Sequence, residues 1–223
     1  MPEPNASDTD LVGEHLACRR GGRLVFARID LRLPAGGALI LTGGNGSGKS
    51  SLLRLLATLL APAEGRLVWA GRPVAADPHR YRAAIEYAGH LDAIKPALTP
   101  RETLSFWAAL RGGVAPAIEA ALDRFGLRAV ADWPCRFLSA GQRRRLALAR
   151  LIAVPCPVWL LDEPTAALDG DGEARLITAI AEHRAAGGRL VVATHQPLPL
   201  PDAETIRLDD YAVMPEDAPA FDW

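Results

Sequence analysis

Residues 39–60 read LILTGGNGSGKSSLLRLLATLL: an apolar run, a glycine-rich turn and an amphipathic segment in immediate succession. Within it, residues 43–50 fit the spacing G-x-x-x-x-G-K-[ST] in the order that spacing requires, strand then loop then helix. Glycines let the backbone wrap tightly around an anion so that successive N–H groups point at it, and a helix starting near Lys49 adds the positive end of its dipole. The candidate phosphate-binding residues are Gly43, Gly44, Asn45, Gly46, Ser47, Gly48, Lys49, Ser50 and Ser51. Lys49 is placed to bridge the β- and γ-phosphates of a nucleoside triphosphate, and the Ser50 hydroxyl to coordinate Mg²⁺.

Working outward, short β-rich runs alternate with helical segments. LVFARIDLRL, GALILTG, GRLVWAG, PVWLLDEP and RLVVATH read as strands, and SLLRLLATLL and EARLITAIAEHRAA as helices, so the class is α/β with a largely parallel sheet. From Thr99 to about Val130 the strands give way to RETLSFWAALRG and APAIEAALDRFGL, which carry helical spacing and form an insertion between two strands.

PVWLLDEP is an apolar strand closed by two adjacent acids, with Pro164 stopping the ladder. Ligands gather at the carboxyl ends of parallel strands, so Asp162 should land beside the phosphate loop and hold Mg²⁺ opposite Ser50. Glu163, one residue on, could take a proton from the attacking water or orient it. His195 closes the next apolar strand at the same edge, where an imidazole could reach the γ-phosphate or the water.

The 223 residues carry a formal net charge of -1 and 23% charged residues, an ordinary globular composition without the global field that a polyanion would call for. Arg143, Arg144 and Arg145 are consecutive and on a helix point in three directions, so they read as solvated or ion-paired rather than as a nucleic-acid patch. Cys18, Cys135 and Cys156 are odd in number and lack C-x-x-C spacing, which argues against a disulfide framework or a zinc site. The N-terminus lacks a basic start and apolar core, and no apolar run reaches the roughly 18 residues that span a bilayer, so membrane association is expected to be peripheral. Residues 1–10 and the acidic, proline-rich residues 209–223 read as disordered tails flanking one domain at 11–208, with the helical subdomain at about 90–150.

LSAGQRRRLALARL places Ser139, Ala140, Gly141 and Gln142 in a small turn before a helix with Leu146, Ala149, Leu151 and Ile152 on its apolar face, a second anion-binding helix start. Here the chain resembles the ATP-binding cassette (ABC) family, whose signature reads leucine, serine, glycine, glycine, glutamine. EPTAALD, ending at Asp169, resembles the family's D-loop, and ATHQ the segment around its switch histidine. The resemblance runs from about Leu11 to Leu208. It implies a P-loop ATPase with a mixed, largely parallel core sheet, an N-terminal antiparallel β part and an inserted helical subdomain. It also implies ATP with Mg²⁺, and a homodimer in which Ser139 and Gly141 reach the nucleotide held by the partner's phosphate loop.

Two positions depart from the family pattern. Where the family usually has an aromatic residue against adenine, this chain has ACRRGGR, with Arg20 or a neighbour in that place; a guanidinium plane can also stack on a base. Where the family loop presents a glutamine to Mg²⁺ and water, the chain has His90, which could contact a phosphate or water, or could simply satisfy a backbone carbonyl. AGHLDAIKPALT, LTPRETLSFW and THQPL together are similar to the cassette subunits of cytochrome c maturation systems. That similarity implies an energy-coupling ATPase in haem delivery or release at the cytoplasmic face of a bacterial inner membrane, joined to an integral membrane subunit of the CcmB type and to further membrane proteins of that system. The ATPase of another exporter, for a drug or a lipid, would share the catalytic residues and differ at His90 and the helical lobe. A soluble cassette protein acting on ribosomes or DNA would be expected to carry tandem cassettes or a long coiled-coil insertion.

Overall fold

A computed structural model of the chain describes residues 10–112 and 114–213. The tails expected at 1–9 and beyond 213 lie outside the described residues. Asp10, assigned to the first tail, is buried and its carboxylate accepts a 2.7 Å hydrogen bond from Arg32 Nε.

Two sheets make up the β structure. Strands β1 (Leu11–Arg20), β2 (Arg23–Leu33), β4 (Glu64–Trp69) and β5 (Arg72–Pro73) form an antiparallel sheet in the order β2-β1-β4-β5. Strands β3 (Ala38–Thr42), β6 (Ile85–Ala88), β7 (Val158–Asp162), β8 (Arg189–Ala193) and β9 (Glu204–Arg207) form a second sheet, ordered β6-β7-β8-β3-β9 and parallel at every pairing. Among the described residues each pairing of the core sheet is parallel, and the antiparallel strands expected at the N-terminal side pair among themselves.

The continuous apolar runs of β7 and β8 are buried along their whole length, as a sheet covered on both faces requires. Alternate residues of β7 feed opposite cores: Trp159 and Leu161 pack with the helical insert, and Val158 and Leu160 with the antiparallel sheet and helix α1 (Lys49–Leu56).

Helix α2 (Pro78–Ala84) precedes β6; α3 (Pro100–Arg111), α4 (Ala115–Arg124) and α5 (Ala140–Ala153) lie between β6 and β7; α6 (Gly170–Ala185) joins β7 to β8. Thr99 and Glu102 close a capping box at the start of α3, and Ser139 and Gln142 do the same for α5, so both starts are set locally by sequence. Past β9, residues 208–211 form a 3-10 turn and Ala212 bridges Phe26, so ordered chain continues beyond the domain end expected at 208.

Candidate active site

The site lies at the carboxyl ends of β3, β7 and β8. β3 delivers the chain at Gly43, and the loop wraps back to α1 through positive φ values at Gly43 (133°), Gly46 (83°) and Gly48 (107°). At Gly48 the requirement is steric as well, since a Cβ would sit 2.9 Å from Phe26 Cδ1 and Val25 Cγ1. The loop is thereby pressed against β2. Lys49 Nζ donates to the carbonyls of Gly43 (2.7 Å) and Gly44 (3.0 Å), lying back across the loop it would open around a phosphate. Among the described residues, Ser47 Oγ in the same turn is buried without a partner.

Facing the loop, Ser50 Oγ donates to Asp162 Oδ1 at 3.0 Å. Two hard oxygen donors this close suit Mg²⁺, which typically takes one or two protein oxygens and completes its shell with phosphate and water. The Tyr87 phenol lies within electrostatic reach of Asp162. Burial raises the phenol's pKa, the Asp162 charge adds to that, and Arg54 counters it.

Glu163 leaves the strand at φ 47°, a left-handed conformation that costs a non-glycine residue of order 1–3 kcal/mol and persists only where the surroundings over-determine it. Its N–H donates to Ala193 O at 2.8 Å, holding it to the end of β8. His195 Nδ1 lies 2.9 Å from the Glu163 carboxylate Oε2, an ion pair when the imidazole is protonated. Glu163 is one-fifth exposed and His195 two-thirds exposed, so the pair is anchored on one side and open on the other.

Sequence reasoning therefore named five residues that the fold brings together: Lys49, Ser50, Asp162, Glu163 and His195. Others stand apart. Ser139, Ala140, Gly141 and Gln142 begin α5, and among the described residues no hydrogen bond or ion pair joins them to residues 43–51. They pack instead beside the segment after Glu163, where a Cβ on Gly141 would lie 3.2 Å from Ala167 O. Asp169 caps α6 by accepting from Gly172 N at 2.8 Å. His90 is exposed on the rim of a cleft of about 500 Å³ lined also by Arg54, Tyr87, Asp92 and Arg150, and among the described residues it makes no hydrogen bond or ion pair. Arg20 ends β1, exposed and paired in register with Arg23.

Two residues at the site escaped sequence reasoning. Asp209, assigned to a tail, accepts from Gly44 N with both carboxylate oxygens (3.2 and 3.3 Å) and fixes the start of the phosphate loop. Arg144, read as part of a solvated run, is buried behind Glu163. The three cysteines are free and buried, and burial raises each thiol's pKa, which makes them poor nucleophiles.

A phosphate cradle facing an acid-closed strand, with a helical insert between them whose last helix opens on a serine-glycine turn, defines a cassette-type ATPase. The chain belongs to the ABC transporter family, whose model matches residues 26–166. It is 56% identical over 206 residues to "Cytochrome c biogenesis ATP-binding export protein CcmA" of Rhodospirillum rubrum, a match covering 92% of this chain and 88% of the relative. It is 52% identical over 214 residues to the protein of the same description from Paramagnetospirillum magneticum, covering 94% and 99%. A solved ATP-binding subunit of an ABC transporter shares the fold, with a TM-score of 0.76 over 84% of this chain and 80% of that one at 24% identity.

Proposed function

We propose that the chain is the ATP-hydrolysing, energy-coupling subunit of a transport complex that serves c-type cytochrome assembly through haem delivery or release. The observation that carries the ATPase part is the convergence of Lys49, Ser50, Asp162, Glu163 and His195 at one edge of the parallel sheet. The similarity to proteins described as CcmA supports the cytochrome c part.

In this reading Lys49 turns from the carbonyls of Gly43 and Gly44 to the β- and γ-phosphates, and amides of the loop beyond Gly44 line the phosphate chain. Ser50 and Asp162 hold Mg²⁺, which when bound neutralises charge on the phosphates. Glu163 accepts the proton of the attacking water, and His195 holds the carboxylate through Nδ1 with its other nitrogen free to reach the γ-phosphate.

Two copies pair head to tail. The capped start of α5, Ser139 to Gln142, has no phosphate loop to serve within its own chain and serves the partner's. Asp169 lies on the segment that packs beside this start.

The membrane partner is an integral subunit of the CcmB type, acting with further membrane proteins of the same system, and places the chain peripherally at the cytoplasmic face of the inner membrane. No helix of the described residues is long and apolar enough to cross a membrane. The helical insert supplies the docking surface, since Leu91, Phe106, Leu110, Trp133 and Phe137 are large, apolar and exposed there.

Affinity purification of the tagged chain from detergent-solubilised membranes of its host tests the assignment. Co-purification of a haem-handling integral membrane subunit, with MgATP hydrolysis in the complex, is the expected result. Recovery of a drug or lipid permease instead overturns it.

A further inference from the structure

Arg144 is the most completely bonded side chain around the site, and no step of the reaction described above uses it. It stands on the second turn of α5 and is 3% exposed. Its guanidinium takes the carbonyls of three consecutive residues: Nη2 donates to Asp162 O at 3.0 Å and Glu163 O at 2.7 Å, and Nε to Pro164 O at 3.3 Å. Nη1 turns the other way and donates to Gly89 O at 3.0 Å and Asp92 Oδ1 at 3.1 Å. A guanidinium carries five N–H donors in a fixed fork, and each of these has an acceptor. A lysine, with three donors on one nitrogen, could not hold both sides together.

The three carbonyls belong to the turn that aims Glu163. With its N–H taken by Ala193 O and its carbonyl by Arg144, the Glu163 peptide is held on both sides in its left-handed conformation, and only the side chain remains free to act. The other half of the fork holds residues 89–92, the loop that carries His90 to the helical insert. The helix bearing Arg144 is capped five residues earlier by Ser139.

We infer that Arg144 is a positioning residue: it fixes the Asp162–Glu163–Pro164 backbone and ties it to the 89–92 loop and the start of α5, so that displacement of either is felt at the Glu163 carboxylate. Its kinetic consequence rests on the proposed ATPase reading; its backbone consequence does not.

Amide hydrogen exchange on the nucleotide-free chain tests the second part directly. In Arg144→Gln the amides of Glu163 and Ala166, bonded to Ala193 O and Glu163 O, are expected to exchange about tenfold faster or more, the scale of a lost charge-assisted hydrogen bond, while those of Val191 and Val192 in β8 keep the parent's rates. If Arg144→Gln does not fold, Arg144→Lys, which keeps the buried charge, is expected to give a smaller acceleration at the same two amides. Parent-like exchange at Glu163 and Ala166 in a folded variant overturns the inference.

ATP turnover tests the first part. The folded variant is expected to lose roughly 10- to 100-fold in kcat with KM for ATP within about twofold, since Lys49 and Ser50 are untouched, and lysine to recover part of the loss. Unchanged kcat, or a raised KM with kcat unchanged, overturns the positioning role. A parent protein without ATP turnover in its complex would sink the ATPase reading instead, and the exchange result would still decide whether Arg144 holds the turn.

Discussion

Two clusters of charge stand against the same parallel sheet and are built on opposite rules. At the base of the helical insert, Glu86 accepts from Arg150 through Nε (3.0 Å) and Nη2 (2.5 Å), with Arg111 at 3.9 Å on its other oxygen. Arg150 also lies over Trp107 at 4.3 Å and donates to Tyr87 O, and Arg111 donates to Ile85 O. Each charge there faces its opposite, and the group is closed. At the strand ends, Lys49 Nζ meets only carbonyl oxygens and the Asp162 carboxylate only the Ser50 hydroxyl among the hydrogen bonds of the described residues. Among the described residues no ion pair joins Lys49 to Asp162 or Glu163, so the cluster is left open for a polyphosphate and its cation. Closed clusters hold a fold together, and open ones wait for a ligand.

The sharpest way to break this contrast is in the open cluster. Glu163→Gln should lower kcat by about 100- to 10,000-fold, the range for losing a general base, while keeping ATP binding and accumulating a nucleotide-bound dimer. A variant hydrolysing at the parent rate would remove Glu163 from catalysis. Lys49→Ala should abolish MgATP-dependent dimerisation in gel filtration and leave the unfolding temperature of the nucleotide-free chain nearly unchanged.

In the closed cluster the effects should exchange places. Glu86→Ala leaves Arg150 buried without its carboxylate, a loss of about 3–5 kcal/mol. For a chain of this size that lowers Tm by roughly 6–20 °C. A thermal shift of a degree or two would show that Arg150 finds compensation from Tyr87 O and Trp107.

The open cluster was legible in sequence and the closed one was not, for a physical reason. The phosphate loop, the acid-closed strand and the capped start of α5 are each contiguous, and parallel topology carries strand ends to one edge whatever the loops do. The closed cluster is assembled from Glu86, Trp107, Arg111 and Arg150, on three elements whose meeting no local spacing announces. Arg144 escaped for the same reason: its acceptors at Gly89 and Asp92 come from more than fifty residues away, and a run of three arginines looks alike whether its middle member faces water or the core. Asp209 was lost to composition, because the acidic stretch around it reads as a tail although Leu208 is buried and anchors it. β1 breaks its own alternation with bulges between Gly13 and Cys18, which blurs the period that marks a strand.

A third group, at the opposite end of the sheet, extends the comparison to pH. His183 stacks on Trp159 with centroids 3.8 Å apart and planes within 4°, its Nε2 facing Arg189 O at 3.3 Å. Burial depresses its pKa from 6.5 to about 4, with the Arg189 charge adding to the fall and the carbonyl opposing it. Between these values the unfolded chain binds the proton and the folded chain does not. His183 therefore contributes its full share of stability above about pH 6.5 and loses it as the pH falls towards about 4. His183→Phe keeps a ring against Trp159 without the titration, so its Tm should fall less steeply than the parent's across that interval. Equal slopes would place the acid sensitivity elsewhere. Gly188 has to remain glycine for the ring to fit, since a Cβ there would lie 2.2 Å from His183 Cε1.

The smallest effect should come from His90. It sits on the loop that Arg144 tethers, yet its imidazole is exposed and bonded to nothing among the described residues, while Glu163 already has His195 at 2.9 Å. If the open cluster is complete without it, His90→Gln and His90→Ala should both turn over ATP within about twofold of the parent, the scale of an ordinary surface change. His195→Ala should cost much more, because it frees the Glu163 carboxylate. A large loss in His90→Ala that His90→Gln restores would mean that the loop swings inward when nucleotide binds and brings a polar side chain to the water. The boundary between the open cluster and the helical insert would then run through residue 90 rather than behind it.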